Sequence, residues 1–240
     1  MREPLIAVLV WTVACAAETT PRREAEVVEA VTPEAEAARD LPRALRREPK
    51  PRETPPGFVV LPEAVPGVVL DVRYATADNF TGAPLPGYVA GTLWVHRSTA
   101  DALARVQTSL TEVGLGLRVY DAYRPGRASD AMVAWAKASG RETLLREGYV
   151  ARRSNHARGN TVDVTLQSAG GEVLDMGTAW DSFSTDSHYA AARGDAMLHR
   201  STLRRAMTRA GFKPYAREWW HFTLPEPAGL PRLDIPYTGH

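Results

Sequence analysis

What most limits how this chain can fold is a pair of short runs that lie far apart. They are Ser154-Asn155-His156-Ala157-Arg158-Gly159-Asn160-Thr161-Val162-Asp163 and Glu218-Trp219-Trp220-His221. The first holds an imidazole and a carboxylate seven residues apart with a glycine between them; the second ends on an imidazole three residues after a glutamate. Two His and one Asp form a nitrogen and oxygen ligand set that leaves the fourth position of a tetrahedral zinc ion open to water. Glu218 is then the spare carboxylate that such a site needs as a base. No HExxH turn occurs, so the ligands come from separate segments and the fold must carry His221 back to His156 and Asp163. A single histidine is more often a surface residue or a hydrogen-bonded core imidazole.

The patterns S-x-H-x-x-G-x-x-x-D and E-x-W-H resemble the paired signature of the zinc D-alanyl-D-alanine dipeptidases, which belong to the zinc D,D-peptidases related to hedgehog domains. The resemblance continues, in the same order, through Tyr74-Ala75-Thr76 with Asn79-Phe80-Thr81-Gly82 and Asp121-Ala122-Tyr123-Arg124-Pro125. It also takes in Met176-Gly177 with Asp181 and Ser187-His188, and spans roughly residues 58 to 236. It implies one zinc ion per chain on His156, Asp163 and His221, Glu218 as the base, and Arg124 as the cation facing the developing oxyanion. Ser154, Tyr74 and Asp181 match positions that line the dipeptide pocket, Asp181 meeting the substrate's ammonium group. Each has a plainer reading. Arg124 can simply pair with Asp121, and Ser154 and Tyr74 can serve as a loop cap and a core side chain. Thr161 departs from the pattern, which usually has Ala there; as a small residue two before Asp163 it should affect packing rather than ligation. His188 is a candidate pocket or supporting residue, while His96, His199 and His240 read as structural or exposed.

The remaining composition excludes more than it selects. A chain of 240 residues, 44% hydrophobic, can bury a good-sized core, and a net charge of +1 argues against nucleic acid as the main partner. The lone cysteine, Cys15, allows neither an intrachain disulfide nor a Cys-based metal site. There is no phosphate loop and no G-x-S-x-G nucleophile motif.

Read in order, residues 1–15 form a signal segment. The apolar run Leu5 to Ala14 is too short to span a bilayer, though Glu3 weakens the positive start. Val13-Ala14-Cys15 resembles the end of a lipobox, with Thr12 where Leu is usual, so Cys15 is a candidate for lipidation and membrane anchoring. Ala14-Cys15-Ala16 equally suits ordinary cleavage, and a frayed terminus with no targeting role is the plain alternative. Export to the periplasm or anchoring at the outer membrane is the expectation. Residues 16–56, rich in Pro, Glu and Arg and without aromatics from Glu18 onward, bury too little to offset their ordering entropy and read as a disordered tether.

The folded domain is expected over 57–240. Strands are predicted over Val68–Tyr74, Leu115–Tyr120, Val162–Leu166 and Trp219–Leu224. Helices are predicted over a segment capped by Ser98 with Leu103, Val106, Leu110 and Val113 inward, and over Arg127–Ser139, Glu142–Glu147 and Asp195–Ala210. Without a regular βαβ repeat the class is α+β. A small antiparallel sheet flanked by helices is what the resemblance implies. Function then divides three ways: a zinc D,D-dipeptidase acting on a small dipeptide, a zinc carboxypeptidase or endopeptidase on peptidoglycan stem peptides, or a wall-binding module that keeps zinc only for folding. The spacing does not address the oligomeric state.

Overall fold

The computed structural model describes residues 53–151, 153–225 and 229–238; the signal segment, Cys15, almost all of the tether and His240 lie outside them. The chain enters through β1 (Phe58–Val60) and the short α1 (Leu61–Ala64), then β2 (Val69–Leu70) and β3 (Trp94–His96). Helix α2 (Arg97–Thr111) leads into β4 (Leu115–Asp121), α3 (Gly126–Ala138), α4 (Thr143–Arg146) and β5 (Thr161–Ser168). Helix α5 (Gly194–Arg209) and the strands β6 (Lys213–Pro214) and β7 (His221–Thr223) close the fold.

Five strands form one sheet in the order β2-β4-β5-β7-β6, and β1 pairs with β3 apart from it. All neighbours in the larger sheet are antiparallel except β2 and β4. A parallel pair needs a long crossover, and the chain from Leu70 through α2 to Leu115 provides it. The sheet is therefore mixed, where the resemblance implied a small antiparallel one. Strand β5 lies in the middle, and Val162, Val164 and Leu166 are fully buried in a core shared with Leu103, Val106 and Leu110 of α2 and Leu203 and Met207 of α5. Each such side chain contributes about 1.5–3 kcal/mol of hydrophobic stabilisation.

Some boundaries differ from expectation. The first predicted strand shrinks to β2: the Arg73 side chain folds back onto Asp71 at 3.3 Å, and Arg73–Ala75 forms a 3-10 turn carrying Tyr74 inward. Helix α2 begins at Arg97, so Ser98 sits inside the first turn and its hydroxyl bonds the His96 ring instead of capping. The same helix ends at Thr111, leaving Val113 beyond it and 66% exposed. At the last strand Trp219 and Trp220 form a turn rather than extended chain. The His221 N–H donates to Glu218 O at 3.2 Å and the Trp219 N–H to Ser187 O at 3.2 Å.

Candidate metal centre and cavity

The sheet register brings the distant runs together. Asp121 on β4 lies opposite Asp163 on β5, past a bulge, and Asp163 lies opposite His221 on β7. Three site residues thus form one row across three adjacent strands, where directly opposed side chains on one face are close neighbours. His156 comes from the preceding 3-10 turn, Asn155–Arg158, which Gly159 ends at φ 73°. A side chain at Gly159 would adopt a left-handed conformation and run into the Phe58 ring. The glycine between ligand and ligand is a steric requirement.

Asp163 Oδ1 lies 3.3 Å from His156 Nε2 and 3.1 Å from His221 Nδ1, and the two imidazole nitrogens are 3.4 Å apart. Ligands about 2.0–2.1 Å from a small tetrahedral metal ion are separated by about 3.3–3.4 Å, so the triangle fits such an ion. Neighbouring bonds orient two of the three candidate donors. His156 Nδ1 donates to Ala122 O at 2.7 Å, which turns Nε2 toward the cluster. Trp180 Nε1 donates to Asp163 Oδ2 at 3.4 Å, leaving Oδ1 for the two imidazoles. Burial pushes the Asp163 carboxyl up, but His156 and His221 outweigh it and hold the group below the usual carboxylate range. Burial likewise lowers His221, favouring the neutral ring that a metal needs.

Glu218 lies in the turn before β7, its Oε2 3.6 Å from His221 Nδ1, with 7% of the residue exposed. No hydrogen bond reaches its carboxylate among the described residues. Burial, then Asp163 and Asp181, push its pKa well up. Arg124 is buried beside it in the cavity wall, with Nε and Nη2 donating to Asp121 Oδ2 at 2.9 and 2.7 Å and the guanidinium 5.1 Å from the Tyr74 ring centre. The pairing with Asp121 is therefore real, and it also aims the guanidinium at the cavity. At the far side the Tyr74 hydroxyl donates to Asp181 Oδ2 at 2.6 Å. Burial, then Asp163, push Asp181 up to about 8 against the Tyr74 bond and Arg124. Ser154 faces the same cavity, about 390 Å³ in volume, and its hydroxyl accepts from the His156 N–H at 3.2 Å; here capping and cavity lining coincide.

A family model described as D-Ala-D-Ala dipeptidase matches residues 55–239. The chain belongs to that family. A D-alanyl-D-alanine dipeptidase of Streptomyces coelicolor is 39% identical over 186 residues, covering 70% of this chain and 92% of that protein. The D-alanyl-D-alanine dipeptidase of Enterococcus faecalis is 38% identical over 197 residues, 75% of this chain and 94% of its own. That of Escherichia coli is 35% identical over 170 residues, 70% and 84%. Peptidases of this family depend on a metal ion, and the only group of three or more His, Cys, Asp or Glu side chains among the described residues able to hold one is His156, Asp163 and His221.

For this member of the family, all eight residues singled out from the sequence line the one cavity: Tyr74, Arg124, Ser154, His156, Asp163, Asp181, Glu218 and His221. Thr161 does not reach it; its hydroxyl meets that of Thr223 at 2.9 Å across the sheet. His188 stands outside the lining but bonds Tyr149, which is inside, at 3.0 Å. His96 and His199 bond Ser98 and Asp175 O, away from the cluster. Asp121 matters more than its place in D-A-Y-R-P announces: it is fully buried, accepts from Tyr88 at 2.6 Å and from Arg124, and lies 3.3 Å from His156 Nδ1. A buried acid between a cation and an imidazole of the candidate metal site is placed to support both, and its signal was the strand end it occupies. Tyr149 and Phe183, which line the cavity wall, have no sequence signal beyond being aromatic.

Proposed function

We propose that the protein is a zinc dipeptidase that hydrolyses D-alanyl-D-alanine and similar D,D-dipeptides. The observation that carries this is the placing of Asp181 and Tyr74 in the same cavity as the three donors, Glu218 and Arg124. That set offers one site for a scissile carbonyl and another for a free ammonium. Zinc suits two imidazoles and a carboxylate with an open position, and when bound it supplies Lewis acidity that activates a water and polarises the carbonyl.

The chain's own residues do the rest. Glu218, buried beside the donors with no competing hydrogen bond among the described residues, takes the proton of the attacking water and delivers it to the leaving nitrogen as the C–N bond breaks. Arg124, fixed by Asp121, turns its remaining N–H donors to the carbonyl oxygen as negative charge develops there. Asp181, steadied by the Tyr74 hydroxyl, pairs with the substrate's ammonium and orients the peptide bond against Glu218. Ser154 lines the same cavity and offers its hydroxyl to the substrate. The relatives' names support the dipeptide substrate over a stem peptide. The complete set of Glu218 and Arg124 beside the donors speaks against a merely structural zinc. The test is hydrolysis of D-alanyl-D-alanine by the purified full chain, with zinc and with chelator. Turnover that requires zinc is expected, and none with zinc would overturn the reading. We further propose export, with Cys15 as the lipidated mature terminus.

A further inference from the structure

Between β5 and α5 the chain crosses the cavity as a loop, and it carries Asp181 at φ 57°, the one positive-φ non-glycine residue among those described. An aspartate tolerates that conformation but does not choose it, so the surroundings must hold it. Arg200 on α5 is 1% exposed, and no step above uses it. Its guanidinium donates to three backbone carbonyls that bracket the loop: Nε to Met176 O at 2.7 Å, Nη2 to Asp186 O at 3.0 Å and Nη1 to His188 O at 2.8 Å. A buried cation satisfied by carbonyls on both sides of Asp181 fixes where the loop begins and ends.

The same guanidinium lies 5.8 Å from the ring centre of Trp219, the residue after Glu218. Trp219 is tied to the loop twice, through its indole N–H to Thr178 Oγ1 at 2.9 Å and its backbone N–H to Ser187 O at 3.2 Å. Tyr189 N–H to Ala216 O at 3.0 Å adds another tie. The segment bearing Asp181 and the turn bearing Glu218 are thus fastened to each other around one side chain. We infer that Arg200 is a positioning residue that fixes the distance from Asp181 to Glu218 and so restricts the enzyme to substrates whose free amine lies one residue from the scissile bond. The inference rests on the dipeptidase reading. A loop free to slide would loosen the ammonium contact and leave room for an acylated nitrogen, so its loss appears in KM and in selectivity before it appears in the chemical step.

The experiment compares Arg200→Lys and Thr178→Val with the wild-type chain, all loaded with zinc. It measures kcat and KM for D-alanyl-D-alanine and N-acetyl-D-alanyl-D-alanine, together with zinc content and Tm. In Arg200→Lys we expect KM for the free dipeptide to rise about tenfold or more, kcat to change less, and the preference for the free over the acetylated substrate to shrink about tenfold. Zinc content should stay near one per chain. Thr178→Val, which removes the indole's acceptor and leaves Arg200 in place, should shift the preference in the same direction by a smaller factor, and it decides the matter if Arg200→Lys does not fold. An unchanged preference in the folded variants, whatever the Tm, would overturn the inference while leaving the dipeptidase reading intact. A wild-type enzyme without the preference would overturn the reading itself.

Discussion

At the scale of single residues the site is a balance of buried charges, and each charge predicts an outcome. His156→Ala, Asp163→Ala and His221→Ala should each lose the metal, because three ligands hold it and none is spare; elemental analysis finding full zinc in His221→Ala would contradict the ligand set. Glu218→Gln should keep fold and zinc yet lose roughly a hundredfold or more in kcat. Removing Arg124 is a harsher change. It strips the buried Asp121 carboxyl of both guanidinium bonds, a loss of about 3–5 kcal/mol, so a drop in Tm should accompany the drop in rate. The metal-free protein should also carry a pH signature. Asp181 titrates near 8 when folded against an ordinary 3.8, so between those values the unfolded chain binds fewer protons and stability falls as pH rises. Glu218, also raised, acts in the same direction. His221, lowered from 6.5, acts oppositely but only below that value. In chelator, unfolding free energy should therefore fall from pH 6.5 to 8, by up to about 1.4 kcal/mol per pH unit for each carboxyl, and Tm with it. Saturating metal, whose charge offsets the carboxylates, should largely remove the slope. A flat Tm in chelator over that window would mean that these carboxyls are already ionised.

At the scale of elements, the sheet register does the assembling. Because β4, β5 and β7 are neighbours, Asp121, Asp163 and His221 fall in one row, and only His156 needs a turn to join them. That turn depends on Gly159. Gly159→Ala should cost about 1–2 kcal/mol from the left-handed backbone alone, with more from the Phe58 ring, and should weaken metal binding. Calorimetry and metal titration would show both, and wild-type affinity would mean the turn relaxes freely. The sequence already offers the three donors, Glu218 and Arg124 as candidates, through metal-ligand chemistry and a family resemblance, and the fold gathers all five at one cavity. Long amphipathic elements such as α2 and the alternating β5 are legible too, since their period is local. What is not legible depends on tertiary bonds. Trp219 and Trp220 look like strand until Ser187 O claims the Trp219 N–H and the Glu218 carbonyl claims that of His221. Val113 looks inward until the helix ends before it, and Asp121 gains its weight only from partners on other segments.

At the scale of the whole molecule, the proposal joins an exported chain to a cavity that reads substrate charge. Expressed in a Gram-negative host, the full chain should be found outside the cytoplasm with Cys15 lipidated as its first residue; mass spectrometry finding an unmodified terminus at Ala16 or Ala17 would exclude the lipoprotein. The central claim is that a buried carboxylate recognises a free amine one residue from the scissile bond. A longer stem peptide presents a neutral amide there and forfeits the charge pairing with Asp181 that the ammonium supplies, a loss of several orders of magnitude in rate where a buried site is built for the missing group. The most direct measurement is kcat/KM of the zinc-loaded full chain for D-alanyl-D-alanine against a stem pentapeptide ending in D-alanyl-D-alanine. The account predicts efficient cleavage of the dipeptide and barely detectable cleavage of the pentapeptide. Comparable values for the two would contradict it and favour a carboxypeptidase instead.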